Sequence, residues 1–257
     1  MNPIIFQTDI FILHTFWIFF VLALVLGTYV FIKLSLKHRL KLQFISENSW
    51  KFIFWGLIGG RLLAIIANFN IYFYEFSSNT IFNLLAIWDR GFSIWGVVIA
   101  VIIYLYYLCK NSDQDFWHWL DVLIPAFIIG LAISHLGSFF EGSNYGHETS
   151  LPWGVNFENY AVKYAVPIHP TQIYAFLYSV GISSALIHFG NTQRMKEESK
   201  RGLIGLAGIT AYALFRFLEE FLRGDDVWMV LGIRVSQIVA FAILTISSII
   251  LYKRYKK

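Results

Sequence analysis

The chain has 257 residues, of which 57% are hydrophobic and 19% aromatic, while only 14% are charged. Such a composition is too apolar and too poor in charge for an ordinary soluble domain. The net charge of +4 would suit a nucleic-acid partner, but the basic residues are sorted along the chain, and that sorting assigns them to membrane topology instead.

A membrane-spanning helix needs about 20 apolar residues. Seven stretches of that kind follow one another: Phe11–Leu34, Trp50–Ile71, Phe92–Cys109, His118–Phe140, Pro170–Phe189, Leu203–Leu222 and Ile233–Tyr252. The expected fold is therefore all-α, a polytopic protein of seven transmembrane helices forming a single integral membrane domain over residues 1–257. The opening "MNPIIFQTDIF" has no basic region ahead of its apolar run and does not read as a cleaved signal peptide. Of the 20 Lys and Arg, 14 fall at one set of helix ends, including Lys33, Lys37, Arg39, Lys41 and Lys51 after the first stretch and Lys253, Arg254, Lys256 and Lys257 in the tail. Only Arg90, Lys163, Arg223 and Arg234 fall at the other set. Positive charge stays inside, so the N-terminus is expected outside and the C-terminus in the cytoplasm. The single cysteine, Cys109, can form no internal disulfide and reads as helix packing.

An ionisable side chain at the centre of a membrane helix costs roughly 2.5–3.5 kcal/mol on insertion scales, so each one needs a partner or a purpose. In chain order the first is Arg61 in "GGRL", beside small residues that permit close helix packing. "WDRGFSIWG" follows, with Asp89 and Arg90 at the outer entry of the third stretch. At the outer exit of the fourth, "ISHLGSFFEGSNYG" crowds His135, Ser138, Glu141, Ser143 and Asn144 into one short run punctuated by Gly137, Gly142 and Gly146. "PIHPTQIY" places His169 before Pro170, a residue suited to the first helical turn, so that free N–H groups, Thr171 and Gln172 face the outer headgroups.

The last of these is "ALFRFLEEFLRGDD", where Arg216, Glu220 and Arg223 stand at i, i+4 and i+7 on one helix face, with Glu219 alongside. Arg223 is expected at the outer surface and Arg216 roughly 10 Å deeper. An internal ion pair would account for Arg216 and Glu220, but two arginines on one stripe favour a lipid phosphate held by guanidinium forks. Four of the five polar sites lie toward the outer leaflet. A transporter, the alternative class, would gather them at the midplane between related halves.

Taken in order, "GGRL", "WDRGFSIWG", the glycine-punctuated exit of the fourth stretch, "HPTQIY", "RFLEEFLR" and Gln237 resemble the prolipoprotein diacylglyceryl transferase family across nearly the whole chain. The resemblance implies a multi-pass enzyme of the bacterial cytoplasmic membrane. It moves the diacylglyceryl group of phosphatidylglycerol onto the lipobox cysteine of a prolipoprotein, forming a thioether and releasing glycerol phosphate. The substrate brings the nucleophile, and neither cofactor nor metal is implied, nor any nucleic acid.

By the same resemblance Arg216 is the family's arginine of the sixth helix, Glu220 and Arg223 stand at the accompanying positions, and Gly146 closes the fourth-helix signature. The catalytic candidates are Arg216, which the resemblance assigns, His135 as a second phosphate contact or the base, and Glu141; the substrate-binding ones are Arg223, Glu220, Gly146, His169, Gln172, Arg61, Ser138, Asn144 and Gln237. Four positions depart from the family pattern: its usual His, Tyr, Arg and Asn read here as Trp95, Phe16, His135 and Ser138. Neither Trp95 nor Phe16 can take a thiol proton. Either His135 or Glu141 is then the base, or the chain is a paralogue that keeps the lipid site and acts on another substrate.

Overall fold

The computed structural model describes residues 4–7, 12–69, 92–157, 162–191 and 200–256. Within them lie eight helices: α1 Thr15–Lys37, α2 Leu42–Glu47, α3 Ser49–Ala67, α4 Ile94–Lys110, α5 Phe116–Glu141, α6 Thr171–Gly190, α7 Leu203–Glu219 and α8 Val235–Tyr255. Each of the seven expected stretches coincides with a helix, and α2 is an additional short one. α1, α3, α5, α6 and α8 are long and apolar enough to cross a membrane. α4 is apolar but has 17 residues, and α7, also 17, places Arg216 and Glu219 in its final turn. Strands were not expected, yet two short antiparallel hairpins are present, β1 Ile4–Gln7 with β2 Ile12–His14 and β3 Met229–Val230 with β4 Ile233–Arg234. The second closes through Leu231 and Gly232, both at positive φ (52° and 79°), the conformation a two-residue hairpin turn requires.

The chain divides into two compact units, Lys41–Phe116 and the remainder. In the first, α3 and α4 cross at glycines: a Cβ on Gly59 would meet the Gly96 carbonyl oxygen at 2.6 Å, and one on Gly60 would meet the Phe92 ring at 2.6 Å. This is the close packing read from "GGRL". Arg61 is buried in α3 within this unit. Trp95 on α4 is exposed, and the "WDRG" part of its motif lies outside the described residues.

In the second unit α1 runs against α5 through Gly27 and Gly130, while α7 packs on α6 and α8. Asp121 of α5 is buried and accepts hydrogen bonds from the backbone N–H of Gly202 (2.6 Å) and Gly205 (2.8 Å). A carboxylate from a neighbouring helix thus satisfies two of the N–H groups that every helix leaves orphaned at its start. At the opposite end of α7, the segment Tyr145–Thr149 is the middle rung of a small layer. Gly146 N–H donates to His169 O and His169 N–H to His147 O on one side; His147 N–H donates to Leu222 O and Gly224 N–H to Tyr145 O on the other. Tyr145, Phe157, Val162 and Ile168 form the apolar core of this layer.

Candidate active site

The local chain explains how the charges meet. α7 ends at Glu219, and Glu220 follows as its cap residue, still with helical dihedrals. A tight turn closes with Phe221 N–H to Leu218 O and Leu222 N–H to Glu219 O at 2.8 Å. Arg223 then leaves the helix and pairs as an extended residue with Gly146. The expected helical stripe therefore stops at Glu220, and Arg223 is brought in by the turn. Its side chain is buried, 5% exposed against 17% for Arg216.

One carboxylate stands at the centre. Glu220, whose side chain is fully buried, meets Arg216 Nη2 at 2.5 Å and Arg223 Nη1 at 3.5 Å through Oε1, and Arg234 Nε at 2.7 Å through Oε2. Arg216 Nη1 also donates to Glu219 (2.8 Å). Asp225 accepts from Arg223 through Nε (2.9 Å) and Nη2, and from Arg234 Nη2 (2.7 Å). Arg234 further donates to the carbonyls of Arg223 and Asp225. Three guanidiniums and three carboxylates make a formally neutral cluster, the arrangement that lets charge persist where desolvation would otherwise forbid it.

The donors are unequally spent. A guanidinium has five N–H groups. Among the described residues Arg216 makes two ion-pair contacts, to Glu219 and Glu220. Arg223 contacts Glu220, Asp225 and Asn144, and Arg234 is similarly engaged. Arg216 is thus the arginine with donors in reserve and the most exposed side chain of the three.

Around this cluster the structure gathers most of the residues singled out from sequence. Asn144, at φ 57°, where asparagine is tolerated better than most residues, accepts from Arg223 Nη2 (2.7 Å) and donates to Ser138 (3.4 Å). Its carbonyl accepts from Thr171 (2.6 Å). Gln172 donates to Ser143 O (2.6 Å), and its own Oε1 is buried without a partner among the described residues. Glu141 accepts from Ser143 (3.1 Å). Gly146 has His169 and Leu222 where a Cβ would stand. His169 contacts the Tyr174 hydroxyl at 3.2 Å, and burial, helped by nearby His147, holds it below the usual histidine range.

Gln237 joins Glu220, Arg223 and Arg234 in the wall of a cavity of about 750 Å³, whose other wall includes Phe217, Phe221, Ile238 and Phe241. Arg61 belongs to the other unit. Four site residues were not foreseen: Arg234, Asp225, Tyr178 and Tyr212. Tyr178 donates to Glu219 (2.7 Å), and Tyr212 meets His135 Nε2 at 3.3 Å. Arg234 carried a signal, an arginine at the start of an apolar helix where the dipole repels cations; the tyrosines carried none.

These features define a multi-pass membrane protein that keeps a charge-balanced polar cluster beside an amphiphilic cavity. The chain belongs to the prolipoprotein diacylglyceryl transferase family, whose description it matches over residues 3–253. It is 31% identical to the phosphatidylglycerol–prolipoprotein diacylglyceryl transferase of Finegoldia magna, over 92% of this chain and 88% of that relative. It is 28% identical to the protein of the same name from Synechocystis sp., over 96% and 87% of the two chains. For Prochlorococcus marinus the identity is 29%, over 79% of this chain and 73% of the relative.

Proposed function

We propose that this chain transfers the diacylglyceryl group of phosphatidylglycerol to the lipobox cysteine of a prolipoprotein, the first step of lipoprotein maturation. It acts as a single membrane domain of seven spans in the bacterial cytoplasmic membrane, with its N-terminus outside and its C-terminus in the cytoplasm. The sorting of basic residues supports that orientation. The observation that carries the catalytic reading is the reserve of N–H donors on Arg216, which makes two contacts where Arg223 and Arg234 each make four.

Arg216 takes the phosphate of the departing glycerol phosphate, where negative charge grows as the carbon–oxygen bond breaks. Arg223, in the cavity wall with Gln237, contacts the phosphate from the polar side, and Glu220 orients both arginines. Asn144 and Ser138 fix Arg223, and Gly146, His169 and Gln172 shape the headgroup pocket. Arg61 is assigned to substrate binding from the family resemblance. His135 is the base and Glu141 its alternative.

The test compares Arg216→Lys, Arg216→Leu, Glu220→Leu and the double Leu variant for thermal stability in detergent and for transfer to a lipobox peptide, read by mass. Removing Arg216 or Glu220 alone unbalances the cluster; removing both restores neutrality. Stability should therefore recover in the double variant while transfer stays lost. Arg216→Lys should fold and lose roughly tenfold or more in kcat, because an ammonium cannot reproduce the planar fork. A double variant that is stable and fully active would refute the role of Arg216.

A further inference from the structure

At the end of α7 far from Arg216, α6, α7 and α8 enclose a second cavity. α7 packs on both its neighbours. Near its start it forms the floor of a groove of about 690 Å³, with Ile204 and Ala207 below, Leu186 of α6 on one side and Leu251 of α8 on the other. That volume lies within the range of about 300–1,000 Å³ typical of ligand sites. The groove reaches Ser248, seven residues before α8 ends at Tyr255. At 1.5 Å per residue it runs roughly 10 Å into the spans, most of the roughly 15 Å that the hydrocarbon of one leaflet occupies. Apart from Ser248 its polar groups stand at the mouth: Lys200, Tyr252 and Tyr255.

The mouth is firmly held. Arg254 donates through Nε to the Arg201 carbonyl and lies over the Trp117 ring at 4.4 Å. Gly202, at φ 89°, fills the space between them, since a Cβ there would meet the Trp117 ring at 2.8 Å and Arg254 Nε at 2.9 Å. The chain beside Lys200 is thus fixed to both α5 and α8. The Lys200 ammonium lies over the Tyr255 ring at 5.6 Å, and among the described residues it forms no ion pair. The first turn of α7 holds no acidic residue, and the last turn of α8 carries Lys253 and Arg254.

We propose that this groove binds an anionic phospholipid of the cytoplasmic leaflet, with one acyl chain along Ile204 and Ala207 and its phosphate on Lys200. The leaflet follows from the orientation proposed above; the site itself does not depend on it. An apolar slot of leaflet depth, closed at headgroup level by a cation, matches an amphiphile with an apolar tail and an anionic head. A compact ammonium holds phosphate as a point charge, and tyrosines favour the membrane interface. A second copy of this chain would bring the same basic helix ends against Lys200, and a zwitterionic lipid would set its own ammonium beside it. α7 carries Arg216 in its final turn and Arg234 caps the start of α8. A lipid held at the other ends of these helices braces the pair that frames the charged cluster.

The experiment is native mass spectrometry of delipidated protein in detergent, titrated with phosphatidylglycerol, which is anionic, or with zwitterionic phosphatidylethanolamine of the same acyl chains. Wild type, Lys200→Gln, Ala207→Phe and Lys253→Gln are compared, so that lipid in the cavity beside Arg223 and Gln237 is common to all four and cancels. Wild type should hold one phosphatidylglycerol more than Ala207→Phe, whose ring fills the floor. Lys200→Gln should weaken that lipid about fivefold, the effect of one basic residue on an anionic headgroup. Lys253→Gln, outside the groove, should leave it unchanged, and phosphatidylethanolamine should not distinguish wild type from Lys200→Gln. Equal binding of phosphatidylglycerol by wild type, Lys200→Gln and Ala207→Phe would overturn the site. So would equal weakening by Lys200→Gln and Lys253→Gln, the mark of diffuse attraction, or equal affinity of the groove for both lipids, the mark of a slot without headgroup recognition. Should Ala207→Phe fail to fold, the two lysine variants still decide. The assay reads binding and not transfer, so its failure would leave the transferase reading standing, and loss of transfer would leave this site standing.

Discussion

Arg234 Nε donates to Glu220 Oε2 at 2.7 Å, tying the residue that precedes α8 to the residue that caps α7. Both side chains are buried. Arg234 sits where the α8 dipole is positive and would be repelled there unless carboxylates surrounded it. Glu220 and Asp225 fill that role, and in return Arg234 keeps the three carboxylates Glu219, Glu220 and Asp225 from outnumbering Arg216 and Arg223.

Arg234→Met should therefore destabilise the protein strongly, by about 3 kcal/mol or more, because it leaves buried negative charge uncompensated. Adding Asp225→Asn to it returns the cluster to two cations and two carboxylates, and should recover a large part of the loss. Thermal unfolding in detergent of the two variants measures this. Equal melting temperatures for Arg234→Met and the wild type would contradict the charge-balance account.

Gly146 makes a second point about geometry. A Cβ there would meet the His169 carbonyl oxygen at 2.6 Å and the Leu222 carbonyl oxygen at 2.9 Å, both backbone atoms that cannot yield cheaply. Gly146→Ala should push apart the rungs that seat Arg223, lowering both melting temperature and transfer. Gly181 of α6 is the control, since a Cβ there meets nothing within 4 Å. Gly181→Ala should be neutral or slightly stabilising, in line with the roughly 0.5–1 kcal/mol that separates the two residues in a helix. Similar losses from both changes would contradict the packing argument.

How much of this was legible in the sequence follows from which forces act locally. Apolar runs of helical length report their own secondary structure, so the helices were found, with ends displaced by a few residues. Arg216, Glu220, Asn144, Ser138 and Gly146 could be singled out because charged, polar or glycine residues stand out against apolar neighbours. Arg223 was placed on the helix because i+7 spacing fits a helix as well as it fits the turn that replaces it after Glu219. Tyr178 and Tyr212 were invisible because their roles depend on α6 and α7 packing side by side, and the chain has 14 tyrosines with nothing in spacing to mark two of them. The β3–β4 hairpin escaped notice because "WMVLGI" is as apolar as the helices around it, and only the Leu231–Gly232 turn distinguishes it.

The acid limb of stability should be set in part by Asp225, which lies beyond the end of α7. Burial alone would raise its pKa, but the hydrogen bonds and charge of Arg223, and then of Arg234, outweigh that and hold it below the ordinary aspartate value of 3.8. A carboxylate with a folded-state pKa depressed in this way binds its proton more readily in the unfolded chain. Its stabilising contribution is complete at pH values above the unfolded pKa and is lost as pH falls through the folded one. Melting temperature should therefore hold between about pH 7 and pH 5 as far as this residue is concerned, then drop below about pH 4 as Asp225 is titrated and Arg223 and Arg234 lose a shared counter-charge. Asp225→Asn should start from a lower melting temperature at pH 7 and show a shallower fall below pH 4. The measurement is a pair of melting curves across that range in one detergent. A mutant as stable as the wild type at pH 7, or one with an equally steep acid limb, would show that Asp225 is not the carboxylate that binds the two arginines in solution.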